Sequence, residues 1–296
     1  MLLEQHKINL YQVNQNWKLF NSYQHLFKTK KVWILKFIYG KAGENIVIIN
    51  SFNDFKRYLE NVIKIYNEKW NKLDYNNYLN LSRWKKSYYY IDWVLQEYII
   101  NPMLYEKKKF HLRGYFVYYN NKNNTKSGYF LNNQRVYTAK LPFINKDYLN
   151  KDIHDSHGGT TKKEINFKPD ITNLLTKKQV EKIENDLLFL FKNIFKITKN
   201  KCYEEDKSCY HLYGTDIMIT DNYELKLIEI NMSPGFKKFK KQKINYFHII
   251  FEEIMKNIVD KQFPLLKNKK KLSKKIKIKK SSSKKNKIEQ PKLIKL

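Results

Sequence analysis

Acid is scarce in this chain. Its 296 residues hold 58 Lys and Arg against 28 Asp and Glu, a formal net charge of +30. Cysteine is nearly absent. Cys202 and Cys209 are too few for a disulfide framework, so both read as inert thiols in an intracellular, cytoplasmic setting. No run of ~18 apolar residues occurs, so no membrane-spanning helix is expected. Met1 to Leu10 is polar and lacks the apolar core of a secretory leader. Alanine appears only at Ala42 and Ala139, and arginine only at Arg57, Arg83, Arg113 and Arg135. With Asn, Ile, Tyr and Phe abundant, this is the pattern of A/T-rich coding. Part of the lysine excess therefore reflects nucleotide composition, and the few Arg and Gly residues carry more information than the lysines.

What is present argues for a folded body. Hydrophobic residues make up 42% and aromatics 16%, enough for a sizeable core in one large or two small domains. The charge is uneven: Lys267 to Leu296 holds 14 Lys against Glu289, a net +13, which leaves +17 for the first 266 residues. This stretch reads as a disordered basic tail. Its lysines have three readings: coding bias, contact with an acidic substrate, or a nuclear address.

Ahead of the tail, strands and helices alternate. Val32–Leu35 and Ile46–Ile49 read as strands joined by a loop containing Gly40 and Gly43. Ser51 to Tyr66 reads as a helix capped by Ser51, with Phe55, Leu59, Val62, Ile63 and Tyr66 on one stripe. Tyr88–Ile100 and Phe110–Tyr119 read as strands. Thr176 to Ile197 reads as an amphipathic helix with Val180, Ile183, Leu187, Leu188, Phe191 and Ile194 inward. Thr215–Thr220 and Glu224–Asn231 read as a hairpin about Asp221-Asn222, and Tyr246–Val259 as a last helix. The class is α+β.

The hairpin carries the sharpest chemical signal. Side chains alternate along a strand, so Glu229 and Asn231 share a face. A turn centred between Asn222 and Tyr223 would set Asp216 directly across from Glu229. Two carboxylates and an amide are hard oxygen donors suited to Mg²⁺. The plainer reading is a solvated polar hairpin face.

This pattern resembles the tubulin–tyrosine ligase-like family of ATP-grasp ligases, which carries an aspartate in one strand and then a strand ending Glu-x-Asn-x-x-Pro. Leu95-Gln96-Glu97-Tyr98-Ile99-Ile100-Asn101-Pro102-Met103-Leu104 followed by Lys109-Phe110-His111-Leu112-Arg113 resembles the family's Gln-Lys-Tyr-Ile-x-x-Pro-Leu-Leu and Lys-Phe-Asp-Leu-Arg. Trp33-Ile34-Leu35-Lys36, then Gly40 and Gly43, resembles its Trp-Ile-x-Lys-Pro and glycine loop. The three blocks occur in the family order.

The resemblance implies an ATP-grasp fold, with two α+β subdomains clamping ATP, spanning residues 31–266 between a short N-terminal extension (1–30) and the tail (267–296). It implies ATP- and Mg²⁺-dependent joining of an amino acid (tyrosine, glutamate or glycine) to a carboxylate of an acidic protein such as tubulin. Asp216, Glu229 and Asn231 would hold the metal. Lys36, Gly40, Gly43 and Lys109 would meet the phosphates, and Gln96, Glu97 and Ile99 would line an adenine hinge. Lys109 and Arg113 would act on the transferred phosphoryl group.

His111 stands where the family has aspartate. Asp152-Ile153-His154-Asp155-Ser156-His157-Gly158-Gly159-Thr160-Thr161 replaces the family's His-Leu-Thr-Asn segment. The resemblance implies a substrate or nucleotide loop here, with His157 and Thr160 as candidate participants. Its two histidines beside aspartates also raise a metal reading. The family's arginine in this region aligns loosely with Tyr137 or Lys140, and its role is carried over to neither. The alternative function, from another class, is a weak or inactive homologue that binds nucleic acid or acidic protein tails through its lysine-rich surface.

Overall fold

The structure, a computed structural model, describes residues 2–40, 45–121, 123, 125–156, 164–198, 208–236, 245–260 and 291–296. The architecture is mixed α+β. The chain divides into two compact units. The first is Met1–Phe110 with Thr138–Thr160 and Met218–Asn222; the second is His111–Tyr137, Thr161–Ile217 and Tyr223–Leu296. Among the described residues, no helix is long and apolar enough to cross a membrane.

The first unit is built on an antiparallel sheet of β1 (Gln5–Asn9), β2 (Trp33–Phe37), β3 (Ile46–Ile49) and β4 (Asp92–Glu97), in the order β1-β4-β2-β3. Along β2, Trp33, Leu35 and Phe37 are buried while Ile34 and Lys36 lie on the other, half-buried face. The helix Phe52–Asn71 covers the sheet with Phe55, Leu59, Val62, Ile63 and Trp70. Ser51 caps it as expected: its hydroxyl oxygen accepts from the Asp54 N–H at 3.1 Å. The expected strand Tyr88–Ile100 is shorter, because Tyr90 takes φ 54 and leaves extended geometry just before β4.

Residues 1–30 are not an extension. β1 pairs with β4, and Leu10, Val13, Phe20 and Leu26 enter the same core. The reason is physical: this segment carries apolar side chains and covers a sheet edge that would otherwise present unpaired backbone groups.

A short strand, β5 (Leu104–Tyr105), turns into β6 (Lys108–Asn120). Glu106 and Lys107 form the two-residue turn with φ 49 and 62, a primed geometry that matches strand twist and fixes Lys109 opposite Leu104.

β6 runs on into the second unit, which also contains β7 (Lys126–Leu131), β8 (Arg135–Thr138), β9 (Ile165–Asn166), β10 (Cys209–Ile219), β11 (Leu225–Asn231) and β12 (Leu293–Lys295). The sheet order is β11-β10-β6-β7-β12, with β8 paired to β6 and β9. β6 is buried on both faces along most of its length, including its polar residues Lys109, His111 and Arg113. On one face lies the helix Lys177–Thr198, whose Phe191 stacks on Phe130 with ring centroids 4.8 Å apart. Leu190 is buried in that helix, where the sequence had pointed to Leu188. On the other face Tyr246, Ile250 and Ile254 of the helix Tyr246–Ile254 meet Tyr115, Val117 and Leu131. A Cβ at Gly114 would stand 2.5 Å from Thr215 Oγ1 and 2.8 Å from Phe191 Cζ, so this strand position needs glycine for close approach.

The tail expectation is corrected at its end; residues 267–290 lie outside the described residues. Leu293–Lys295 pairs antiparallel with Tyr129–Leu131, and Leu293 is buried in the core beside Ile254 and Ile258. The Lys292 N–H donates to Asn132 Oδ1 at 2.8 Å, and the Leu296 N–H to the Gly128 carbonyl at 2.9 Å. β12 satisfies a sheet edge that charge composition alone does not reveal. Ending the chain at Gln290 should therefore lower its stability by about 2–4 kcal/mol, from loss of the buried leucine and the ladder bonds. Denaturant unfolding of the two chain lengths checks this.

Candidate active site

In the first unit, Lys36 lies near the end of β2, just before a turn in which the Gly40 N–H donates to the Phe37 carbonyl at 3.1 Å. Lys36 Nζ donates to Gln96 Oε1 at 2.6 Å, across the β2–β4 pairing. Gln96 is buried, and its side-chain oxygen serves Lys36. The Glu97 and Tyr98 N–H groups donate to the Glu4 and Val32 carbonyls at 2.9 and 2.8 Å. Those two amides are thus engaged within the unit, which narrows a backbone hinge to Ile99 and the carbonyls. Ile99 itself is buried. Gly43 lies outside the described residues.

Lys109 is only 4% exposed and donates to Tyr98 Oη at 2.9 Å. Among the described residues it forms no salt bridge. Burial pushes its pKa down to about 7, Lys36 pushes the same way, and Asp155 opposes them. Two lysines of one unit thus face each other electrostatically, one of them almost wholly buried. That arrangement favours an anion.

In the second unit, β6 and β10 set Arg113 directly opposite Asp216. Arg113 Nε donates to Asp216 Oδ1 at 2.5 Å and Nη2 to Oδ2 at 3.0 Å, a bidentate fork with Asp216 1% exposed. Burial disfavours the guanidinium charge, but Asp216 outweighs it and holds the pKa above its ordinary value. His111 Nε2 lies 3.6 Å from the same Asp216 Oδ1, and its ring stacks on Tyr137 at 5.3 Å. The Arg113 guanidinium also stands 5.5 Å from the centre of the Tyr137 ring. His111 is therefore a neighbour of the aspartate on β10.

Glu229 and Asn231 come together at the end of β11, with Asn231 Nδ2 donating to Glu229 Oε1 at 2.8 Å. That bond leaves Asn231 Oδ1 and Glu229 Oε2 as hard acceptors on an accessible strand end. The donor chemistry therefore fits Mg²⁺. The Asp216 carboxylate is held by Arg113. Among the described residues, no three His, Cys, Asp or Glu side chains form a group able to hold a metal.

The replaced loop is described as far as Ser156; His157 and Thr160 lie outside the described residues. His154 is not placed as a metal ligand. It bonds Tyr98 Oη and the Asp147 carbonyl, each at 2.6 Å. Cys209, expected as an inert thiol, is disulfide-bonded, and Cys202 lies outside the described residues.

The sequence does not reveal the bonding of Tyr98 to His154 or the buried pair Arg135–Glu164, which are 3.1 Å apart. For Arg135 the scarcity of arginine was the available signal. Tyr98 lies between Glu97 and Ile99, and no local signal in the sequence marks its hydroxyl.

A sequence profile described as the Tubulin-tyrosine ligase family matches residues 3–271. The probable tubulin–tyrosine ligase PBY1 of Saccharomyces cerevisiae is 26% identical over 217 residues, covering 66% of this chain and 27% of that protein. Tubulin glycylases 3C and 3D of Tetrahymena thermophila are 26% and 28% identical, over 57% and 56% of this chain and 17% and 18% of their own lengths. The chain thus spans about a quarter or less of the curated relatives it matches.

Proposed function

The chain belongs to the tubulin-tyrosine ligase family, and on that premise we propose that it is an ATP- and Mg²⁺-dependent ligase. It joins an amino acid (tyrosine, glutamate or glycine) to a carboxylate of an acidic protein, with tubulin as the first acceptor to try. The observation that carries this reading is Lys109: a buried lysine with a depressed pKa, repelled by Lys36 and without a salt bridge among the described residues. Such a charge is stabilised by a polyanion such as a triphosphate.

In the proposed reaction the acceptor carboxylate attacks the γ-phosphorus of ATP, and ADP leaves. The amine of the incoming amino acid attacks the resulting acyl phosphate, loses a proton, and phosphate leaves. Lys36 and Lys109 offset charge on the phosphates. Arg113, oriented by Asp216, keeps further N–H donors for the transferred group. Glu229, Asn231 and Asp216 are the residues that would hold Mg²⁺. The metal supplies Lewis-acid neutralisation of phosphate charge when bound.

Ligation is read as labelled amino acid entering protein. The nucleotide part has its own test. Phosphates favour the charged lysine, so above about pH 7 ATP binding must take up a proton at Lys109. On the alkaline side of that pH, ATP affinity should fall by up to about tenfold per unit. ATP titrations across pH check this, with Lys109→Met flattening the profile. A wild-type affinity that ignores pH over this range would count against the role given to Lys109.

A further inference from the structure

A directed hydrogen-bond chain runs from Lys109 to the backbone of Asp147, all within the first unit. Lys109 Nζ donates to Tyr98 Oη at 2.9 Å. Tyr98 Oη lies 2.6 Å from His154 Nδ1, and His154 Nε2 lies 2.6 Å from the Asp147 carbonyl oxygen. A carbonyl oxygen only accepts, so Nε2 carries the proton and Nδ1 is an acceptor. Tyr98 therefore donates to His154 while accepting from Lys109. The chain is enclosed: Tyr98 is 6% exposed, and the rings of Phe143 and Tyr148 lie 5.8 and 6.0 Å from that of His154.

We propose that Tyr98 and His154 are positioning residues for Lys109. Their chain fixes the ammonium at the place where it meets the nucleotide phosphates, and neutral His154 holds Tyr98 turned as an acceptor. This rests on the reading of Lys109 as a phosphate-binding lysine. Neither residue has to touch a reacting atom. A hydroxyl that donates onward is a better acceptor, so removing His154 Nδ1 should be felt two bonds away at Lys109.

The direction of the chain also sets a pH limit. A protonated His154 has donors on both nitrogens, and Nδ1–H would then oppose the Tyr98 hydroxyl proton. Burial keeps the His154 pKa below its ordinary value; the Asp147 carbonyl opposes that, and Lys109 adds to it. The other groups bearing on the chain are Lys36 and Asp155 at Lys109, and Tyr148 and the Asp147 carboxylate at Tyr98 and His154.

The test uses the full chain and three variants. Tyr98→Phe removes the hydroxyl. His154→Gln keeps a donor near Nε2 but loses the acceptor at Nδ1, whereas His154→Asn places Oδ1 near Nδ1 and restores it. The Lys109 Nζ titration is followed by NMR in ¹⁵N-lysine-labelled, nucleotide-free protein. ATP affinity and turnover are followed from about pH 5.5 to about pH 8.

Tyr98→Phe and His154→Gln should lower the Lys109 midpoint and weaken ATP binding about tenfold, the effect of one lost bond to a charged group. His154→Asn should rescue both, and should lose the acid limb of the pH profile. The proposal is overturned if Tyr98→Phe leaves the Lys109 midpoint unmoved, or if the Asn and Gln variants behave alike. A midpoint that moves as expected in a chain that binds no ATP would uphold the hydrogen-bond chain and overturn the ligase reading.

Discussion

Lys109→Met makes the chain more stable and lowers ATP-dependent ligation by about 10²–10³-fold. The two effects have one cause. Methionine fills the volume of a lysine stem without bringing a charge into a buried site. The sign follows from the direction of the shift. The folded-state pKa of Lys109 lies near 7, below its unfolded value of 10.5, so between those values the unfolded chain binds more protons. The penalty for burying the lysine is fully present below about pH 7 and fades as pH rises toward 10.5. Stabilisation by methionine should therefore be a few kcal/mol at neutral pH and nearly absent near pH 10. Thermal unfolding at several pH values, run beside amino-acid incorporation, reads both effects. A variant that lost activity and stability together would make Lys109 a structural residue.

The carboxylates give the second large effect, and their burial separates them. Glu229 is exposed and among the described residues bonds only Asn231, so Glu229→Gln should change stability by no more than about 0.5 kcal/mol. Its ligation rate should fall about 10²–10³-fold through loss of a charged oxygen donor to Mg²⁺. Raising the Mg²⁺ concentration should recover part of the rate. Asp216→Ala should lose as much activity but also about 3–5 kcal/mol of stability, because it leaves Arg113 buried without its partner. Denaturant unfolding and Mg²⁺-dependent ADP release distinguish the two. Full activity in Glu229→Gln would remove that residue from the metal set.

The same contrast shows what the sequence can carry. Ser51 and the stripe that follows it specify the first long helix, and Asp221-Asn222 between apolar runs specifies the β10–β11 hairpin. These signals are local: a cap, a period, a turn. Lys36, Lys109, Arg113, Glu229 and Asn231 are legible as positions because their types recur at telling places on strands. Their partners are not legible. Lys36 is bonded by Gln96 and Arg113 by Asp216, pairings set by strand register between distant segments. β10 lies between β11 and β6, and its pairing with β6 sets Arg113 across from Asp216, a partner that hairpin spacing does not reveal. β12 is hidden for another reason: its three residues follow a lysine-rich stretch whose composition points away from structure.

Amino-acid incorporation tests the central claim most directly. The full chain is incubated with ATP, Mg²⁺, tubulin and labelled tyrosine, glutamate or glycine in turn, and both the label in protein and the ADP formed are counted. One of the three amino acids should enter the acceptor with about one ADP per residue joined, and Lys109→Met and Glu229→Gln should lower both signals by about 10²–10³-fold. ATP turnover unchanged by acceptor and amino acid, or no ATP binding at all, would contradict it.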